Sequence, residues 1–63
     1  MIREYDVVRA TRDLSDHVRK GATGTVVMVY IPEQAYEVEF MEDIYTSELL
    51  IVQADDIELV QMQ

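Results

Sequence analysis

Apolar and polar residues alternate with a period of two along most of this chain. Tyr36, Val38 and Phe40 alternate with Glu37 and Glu39, which is the pattern of a β-strand with one buried side and one solvent-facing side. The alternation predicts that the three apolar side chains are buried and that the two glutamates are exposed. It also predicts that strands, rather than helices, form most of the fold.

Five segments have the composition or the alternation of strands. Segment 24–31 is rich in β-branched residues and is apolar on both faces, which is typical of a central or strongly bent strand. Pro32 cannot donate a ladder hydrogen bond, so 24–31 and 35–41 are predicted to form a hairpin with a loop of about three to five residues. Residues 54–56 are predicted to form a single 3₁₀ turn. The predicted strands are 5–11, 24–31, 35–41, 47–53 and 57–62.

A long polar loop, 12–23, separates the first two predicted strands. Its apolar residues Leu14 and Val18 are four positions apart, so both can face the core and seat the loop on it. The same spacing is compatible with one short helical turn capped by Ser15 or Asp13.

The layout of these elements is that of an SH3-like barrel, with a long first loop, a three-strand meander and a 3₁₀ turn before the last strand. We therefore predict an all-β, five-stranded SH3-like barrel that forms a single domain over residues 1–63. A chain of this length buries only about 60% of the surface that its unfolded form exposes. The sequence has no Cys for a disulfide, but a closed barrel lets the strands share one core without long open edges.

Charge is distributed unevenly along the chain. All five basic residues lie within the first 20 positions together with four acidic residues, so this part carries +1. The other nine of the 13 acidic residues lie in 21–63 without any Lys or Arg, which gives −9 there and −8 overall. Two interpretations are open, because the acids either keep a small protein soluble or form an acidic face for a basic partner.

We expect the acidic face to bind a basic protein and to repel nucleic acid, because phosphate neutralisation dominates nucleic-acid affinity. Arg9, Arg12, Arg19 and Lys20 are interleaved with aspartates and are expected to form local ion pairs. No segment approaches the ~20 apolar residues of a membrane span, and the N-terminal residues do not resemble a signal peptide, so a cytoplasmic protein without a membrane partner is expected. The candidate partner-binding residues are Glu33, Glu37, Glu39, Glu42, Asp43 and Glu48.

Residues that could carry catalysis or hold a metal occur in patterns that suit neither. Ser15, Asp16 and His17 have the composition of a hydrolase triad, but adjacent residues cannot place Ser and Asp on opposite ring nitrogens. His17 is the only His, so a metal would need an all-oxygen site, and no calcium-loop motif occurs. The carboxylate pairs fit a solvated strand face, a turn and a cap better than general acid–base work. We expect no enzyme activity and no cofactor.

Two glycines, Gly21 and Gly24, mark the end of the long loop. The intervening pattern lacks the Gly-Lys-Ser/Thr of a phosphate loop and does not lead into a helix. Both glycines are instead expected at positions of tight or positive-φ geometry.

Apolar and aromatic residues leave two further questions open. The four tyrosines and Phe40 suit packing in the core or at its rim, or they line a groove of the kind that binds proline-rich peptides. The run Leu49, Leu50, Ile51 and Val52 is apolar on both faces of its strand, although a single core needs only one apolar face. The surplus pair is expected beneath the long loop or against another copy, so a homo-oligomer through residues 49–52 is one expectation.

Several segments resemble known families. Residues 20–27, Lys-Gly-Ala-Thr-Gly-Thr-Val-Val, are similar to the K-G-x-x-G-x-V signature of KOW and other SH3-like, translation-associated barrels. Over nearly its full length the chain resembles, more closely, a family of small bacterial barrels named domain of unknown function DUF4926. The matching segments are Tyr5-Asp6-Val7-Val8, Asp13-Leu14, Gly21, Gly24-Thr25-Val26-Val27, Tyr36-Glu37-Val38-Glu39-Phe40 and Ala54-Asp55-Asp56-Ile57-Glu58-Leu59.

This resemblance implies an SH3-like fold but no assigned activity and no catalytic residues. Some members of the family are encoded beside predicted toxins or nucleases, which implies an antitoxin-like or immunity role. Fold alone does not fix function, and three classes remain: a protein-binding module with an acidic face, a KOW-like factor acting at nucleic acid or the ribosome, and a self-assembling structural domain. The charge distribution favours the first.

Overall fold

The computed structural model describes residues 1–60 of the chain, and these form one antiparallel sheet of five strands. The strand order is β4-β3-β2-β1-β5, so β4 and β5 are the two edges. A 3₁₀ turn, Ala54–Asp56, precedes the last strand as predicted, and no α-helix occurs among the described residues. The strands are β1 Val7–Ala10, β2 Thr23–Ile31, β3 Ala35–Met41, β4 Ser47–Gln53 and β5 Ile57–Leu59.

The predicted strands 24–31, 35–41 and 47–53 are confirmed to within one residue, and the hairpin loop between β2 and β3 has three residues, 32–34. The first strand starts later than predicted because Tyr5 adopts a positive φ of 73°. Its neighbours close a turn in which the Asp6 N–H donates to the Arg3 carbonyl (3.1 Å) and the Arg3 N–H donates to Asp6 Oδ2 (2.9 Å). The end of the last predicted strand, residues 61 and 62, lies outside the described residues.

The prediction of a closed barrel is wrong for the part of the chain that the structure describes, because β4 and β5 form no ladder with each other. The 3₁₀ turn moves the chain from one edge of the sheet to the other within three residues. At its start the Ala54 N–H donates to the Gln34 carbonyl (3.0 Å), and at its end the Asp56 carbonyl accepts the Thr11 N–H (2.9 Å). β5 is only three residues long and pairs with β1 at each of them, so the sheet stays open beside β4.

One face of the sheet carries the core. Tyr36, Val38 and Phe40 are buried as predicted, and the long loop contributes the buried Val18 with Leu14 packed beside it. The other buried apolar residues are Val8, Ala10, Val26, Val52 and Ile57.

The short helical turn that the spacing of Leu14 and Val18 would allow does not form in the long loop. The Leu14 N–H donates to the Val18 carbonyl (2.7 Å), in the reverse direction to a helical bond. Ser15 Oγ accepts the Val18 N–H (3.0 Å), and Asp13 Oδ1 accepts the Lys20 N–H (2.7 Å). The Ser15 bond is the one that a helix cap makes, but the reversed backbone bond from Leu14 and the bond from Lys20 to Asp13 close the segment as a loop.

Gly21 and Gly24 serve different purposes. Gly21 has a φ of +93°, as expected for a glycine that ends a loop, and nothing lies within 4 Å of the position of a Cβ there. Gly24 is buried in β2, and its φ lies outside the left-handed region. A Cβ on Gly24 would lie 2.7 Å from the Glu39 carbonyl oxygen and 2.8 Å from Val38 Cγ1. Close packing of β3 against β2 therefore requires a glycine at this position.

Candidate functional site

The side of the sheet that faces away from the core carries two glutamates among exposed apolar side chains. Glu37 pairs across the sheet with Ile51 on β4 and with Met28 on β2, and Glu39 pairs with Leu49. The neighbouring apolar side chains cover part of both glutamates, so these are half-buried rather than exposed as predicted. We name this surface the outer face and define it by Met28, Tyr30, Glu37, Glu39, Ser47, Leu49 and Ile51.

Hydroxyl groups fix both carboxylates of the outer face. The Tyr30 hydroxyl donates to Glu37 Oε1 (2.7 Å), and the Ser47 hydroxyl donates to Glu39 Oε2 (2.9 Å). The second oxygen of each carboxylate has no hydrogen-bond donor among the described residues. A carboxylate held in this way presents its second oxygen to a cation from a partner.

The bond between Tyr30 and Glu37 also shifts the titration of the phenol. It stabilises the protonated hydroxyl and places a negative charge beside the phenolate, so the pKa of Tyr30 is raised above 10.0. We expect Glu37→Gln to lower this pKa toward 10.0, because the amide carries no charge. Carbon-13 NMR of labelled tyrosine rings resolves each phenol and measures the change. Glu39→Gln is the matched control and should leave Tyr30 unchanged; an equal shift in both variants would contradict the contact.

Two of the other predicted site residues, Glu42 and Glu48, contact the long loop instead of the outer face. Glu48 pairs with the buried Phe40, and its Oε1 accepts the Ser15 hydroxyl (2.9 Å). Glu42 Oε1 lies 3.5 Å from Nδ1 of His17. These contacts tie the long loop to the start of β4 and to the turn between β3 and β4, so the two carboxylates have structural partners within the chain.

The remaining two predicted residues, Asp43 and Glu33, lie in turns. Asp43 Oδ1 accepts the backbone N–H groups of Tyr45 (2.7 Å) and Thr46 (2.9 Å), and these bonds lower the pKa of its carboxyl group. Glu33 lies in the loop at the opposite end of β3, with a φ of 65°. Of the six predicted residues, the structure therefore brings together only Glu37 and Glu39 on the outer face.

The family model that matches this chain is described as a domain of unknown function (DUF4926), and the match covers residues 4–59. The chain belongs to this family. The match runs from the turn before β1 to the end of β5, so it includes the outer face and the long loop. No curated protein and no solved structure matches the chain.

Most of the cationic side chains of this DUF4926 domain have acidic partners. Three ion pairs join Arg9 to Glu58 (2.9 Å), Arg12 to Asp56 (2.8 Å) and Arg19 to Asp13 (3.1 Å). The Lys20 N–H and the Arg19 guanidinium together lower the pKa of Asp13. The prediction of local ion pairs with the interleaved aspartates is confirmed for Arg19. Arg9 and Arg12 instead pair with acidic residues 49 and 44 positions away in the sequence, and the charge of all three arginines is largely balanced within the domain.

Two residues of the Ser15-Asp16-His17 triplet, Ser15 and His17, contact other parts of the DUF4926 domain. Ser15 Oγ donates to Glu48 and accepts the N–H groups of His17 and Val18, while the His17 ring lies against Glu42. Among residues 1–60, no group of three or more His, Asp or Glu side chains converges as a metal site would require. The same residues contain no helix that is long and apolar enough to cross a membrane.

Sequence reasoning missed the apolar half of the outer face. The sequence contained a signal for Leu49 and Ile51, because they alternate with Leu50 and Val52, whose side chains face the core. It contained none for Met28 and Tyr30. Two register shifts in β2, between Val26 and Met28 and between Val29 and Ile31, interrupt the simple alternation there. Such bulges change which face a residue occupies.

Proposed function

We propose that this DUF4926 domain is a non-enzymatic protein-binding module and that its outer face engages a basic partner. The observation that carries the proposal is the position of Glu37 and Glu39, each fixed by a hydroxyl group and flanked by the exposed Leu49, Ile51 and Met28. An antitoxin-like or immunity role is a setting in which a small acidic domain would neutralise a cationic protein. We also propose that the sheet is an SH3-like barrel left open between β4 and β5.

The outer face suits Lys and Arg side chains better than isolated charges. Long basic side chains have apolar stems, which can cover Leu49 and Ile51, and cationic heads, which can reach the free oxygens of Glu37 and Glu39. Binding of this kind compensates the partner for the water it loses, because its charged groups contact carboxylates and its apolar stems contact apolar side chains. Exposed leucine, isoleucine and methionine beside carboxylates thus favour a protein partner over a small ion.

The charge of the whole chain supports the same class of partner. A net charge of −8, with all five basic residues among the first 20, gives a negative potential over the strands that form the outer face. Such a field speeds encounter with a cationic surface and opposes approach of DNA or RNA. The ion pairs of Arg9, Arg12 and Arg19 leave little positive potential for a KOW-like contact with phosphates.

The proposal is tested by reversing the two charges of the outer face. A basic protein captured with the tagged domain is identified by mass spectrometry and purified, and its association rate is measured over a range of salt concentrations. The double variant Glu37→Lys, Glu39→Lys should associate at least about tenfold more slowly at low salt, with a flatter salt dependence. Circular dichroism checks that the variant keeps its fold.

A matched variant separates the outer face from net charge. Glu4→Lys, Asp16→Lys changes the charge by the same amount at two exposed residues outside the outer face. It should slow association much less. Equal slowing in both variants would show that only net charge matters and would overturn the assignment of the face. Tighter binding of the unmodified domain to duplex DNA or RNA than to any basic protein at physiological salt would overturn the proposal itself.

A further inference from the structure

The edge of β4 lies beside the outer face and carries backbone groups directed away from the sheet. Next to β4 the Thr46 carbonyl accepts the Glu42 N–H, and the Ala54 N–H donates to the Gln34 carbonyl, each at 3.0 Å. These bonds and the uninterrupted pairing with β3 assign the even-numbered residues of β4 to the β3 ladder. The N–H and C=O groups of the odd-numbered residues, such as Leu49 and Ile51, therefore point outward. Within residues 1–60, no other backbone group pairs with them.

Apart from one inward-pointing charge, Glu48, the features that usually protect an edge strand are absent from β4. Natural edge strands carry Lys or Pro, contain bulges or are very short. β4 has seven residues with the sequence SELLIVQ, and its pairing with β3 shows no register shift. Its single charged residue, Glu48, faces the core side, where it bonds to Ser15. The outward side chains Leu49 and Ile51 are 56% and 69% exposed. This edge is a template for another strand.

We propose that the basic partner supplies an extended segment that pairs with β4 as a sixth strand and that alternates Lys or Arg with apolar residues. This inference rests on the proposed function and specifies how the partner binds. It is a case of strand addition, in which main-chain hydrogen bonds supply affinity and alternate side chains supply specificity.

Charge complementarity with Glu37 and Glu39 determines which positions of the added strand carry Lys or Arg. Strands lie about 4.8 Å apart, so a residue of the added strand lies about two such spacings from Glu37 and Glu39 on β3, with Ile51 and Leu49 between them. Lys and Arg span that distance while their stems cover Ile51 and Leu49. Residues of the added strand on the other face lie beside Leu50 and the core, where apolar side chains fit.

A second copy of this chain is a poorer occupant of the same edge. Two copies paired through β4 would bring Leu49 and Ile51 together, but each copy carries a net charge of −8 and has no Lys or Arg after residue 20. The carboxylates of the two outer faces would then repel each other, whereas a basic segment neutralises them. Self-association through residues 49–52 is thus the competing outcome of the experiment.

The probe is a blocked nine-residue peptide in which five lysines alternate with four valines, and its control has the same composition with the lysines grouped at one end. Amide hydrogen exchange of the domain is followed by nitrogen-15 NMR. The alternating peptide should slow exchange at Leu49 and Ile51 by about tenfold or more, with little change at Leu50 and Val52, which already bond to β3. The grouped peptide should not produce this pattern.

Charge variants test the complementarity. Glu37→Gln, Glu39→Gln keeps both hydrogen-bond acceptors and should weaken binding of the alternating peptide roughly tenfold. Glu4→Gln, Asp16→Asn makes the same change in net charge elsewhere and should have a much smaller effect. Equal effects in the two variants would overturn the pairing of basic residues with the outer face.

Other results separate this inference from the function on which it rests. Peptide binding without protection of Leu49 and Ile51 would overturn strand addition and leave a basic partner on the outer face. Strand addition is also overturned if the captured basic protein binds and the alternating peptide does not. Protection of both amides without peptide, with a dimer mass in sedimentation, would assign the edge to a second copy. If neither the peptide nor any basic protein binds, both proposals fail.

Discussion

Replacing Gly24 with alanine is expected to cost the domain about 3 kcal/mol of unfolding free energy. The added Cβ would lie 2.7 Å from the Glu39 carbonyl oxygen and 2.9 Å from Phe40 Cδ1. A side chain can turn away from such a contact, but the carbonyl belongs to the central ladder between β2 and β3, so the two strands must separate. A chain of 63 residues has a total unfolding free energy of about 3–9 kcal/mol, so the substitution would remove a large part of it.

Gly21 provides the control, because its requirement is conformational rather than steric. With a φ of +93° and no atom near the Cβ position, Gly21→Ala should cost about 1–2 kcal/mol. Asparagine should cost less than alanine at position 21, since it tolerates positive φ, and more than alanine at position 24, since it is larger. Urea unfolding followed by circular dichroism gives all four values. The same order of cost at both positions, or a loss below about 0.5 kcal/mol for Gly24→Ala, would refute the packing argument.

The sequence was sufficient to predict the elements whose patterns are local. The alternation of Tyr36, Val38 and Phe40 with two glutamates determined the orientation of β3, because a half-buried strand has only two faces. Pro32 located the hairpin loop, and Ala54–Asp56 was identified as the 3₁₀ turn before the last strand. These predictions required no knowledge of which strands are neighbours.

Closure of the sheet and the composition of the outer face depend on distant parts of the chain, and there the sequence was less informative. Nothing local to β4 or β5 indicates whether they pair; this depends on how the 3₁₀ turn contacts Thr11 and Gln34. The six candidate acids were grouped by charge and proximity along the chain. In the structure Glu42 and Asp43 are engaged by the His17 ring and by turn N–H groups. A carboxylate that stabilises its own chain looks the same in sequence as one that awaits a partner.

Replacing Asp56 with alanine is expected to cost about 2 kcal/mol of unfolding free energy, the second large effect of a single substitution. Its side chain is 12% exposed and bonds in two directions. Asp56 Oδ2 accepts the Gln53 N–H (2.9 Å) at the start of the 3₁₀ turn, and Oδ1 accepts Nε of Arg12 (2.9 Å). Alanine removes both acceptors and leaves a partly buried N–H without a partner. Urea unfolding measures the loss.

The hydrogen bond from the Gln53 N–H to Asp56 should contribute more to the unfolding free energy than the ion pair between Arg12 and Asp56. The Arg12 side chain is 64% exposed, and an ion pair with one solvated member contributes less than about 1 kcal/mol. Arg12→Ala should therefore cost much less than Asp56→Ala, and a double-mutant cycle between the two should give a coupling energy below about 1 kcal/mol.

Asp55 is the matched control for this turn, since it is the adjacent residue with the same side chain and it is exposed. Asp55→Ala should change the unfolding free energy by no more than about 0.5 kcal/mol. Asp56→Asn keeps an oxygen for the Gln53 N–H and loses the charge, so its cost should lie between those of Asp55→Ala and Asp56→Ala. If Asp56→Asn were as costly as Asp56→Ala, the charge on Asp56 would outweigh the cap. The 3₁₀ turn, which connects the two edge strands β4 and β5, would then be stabilised mainly by the ion pair with Arg12.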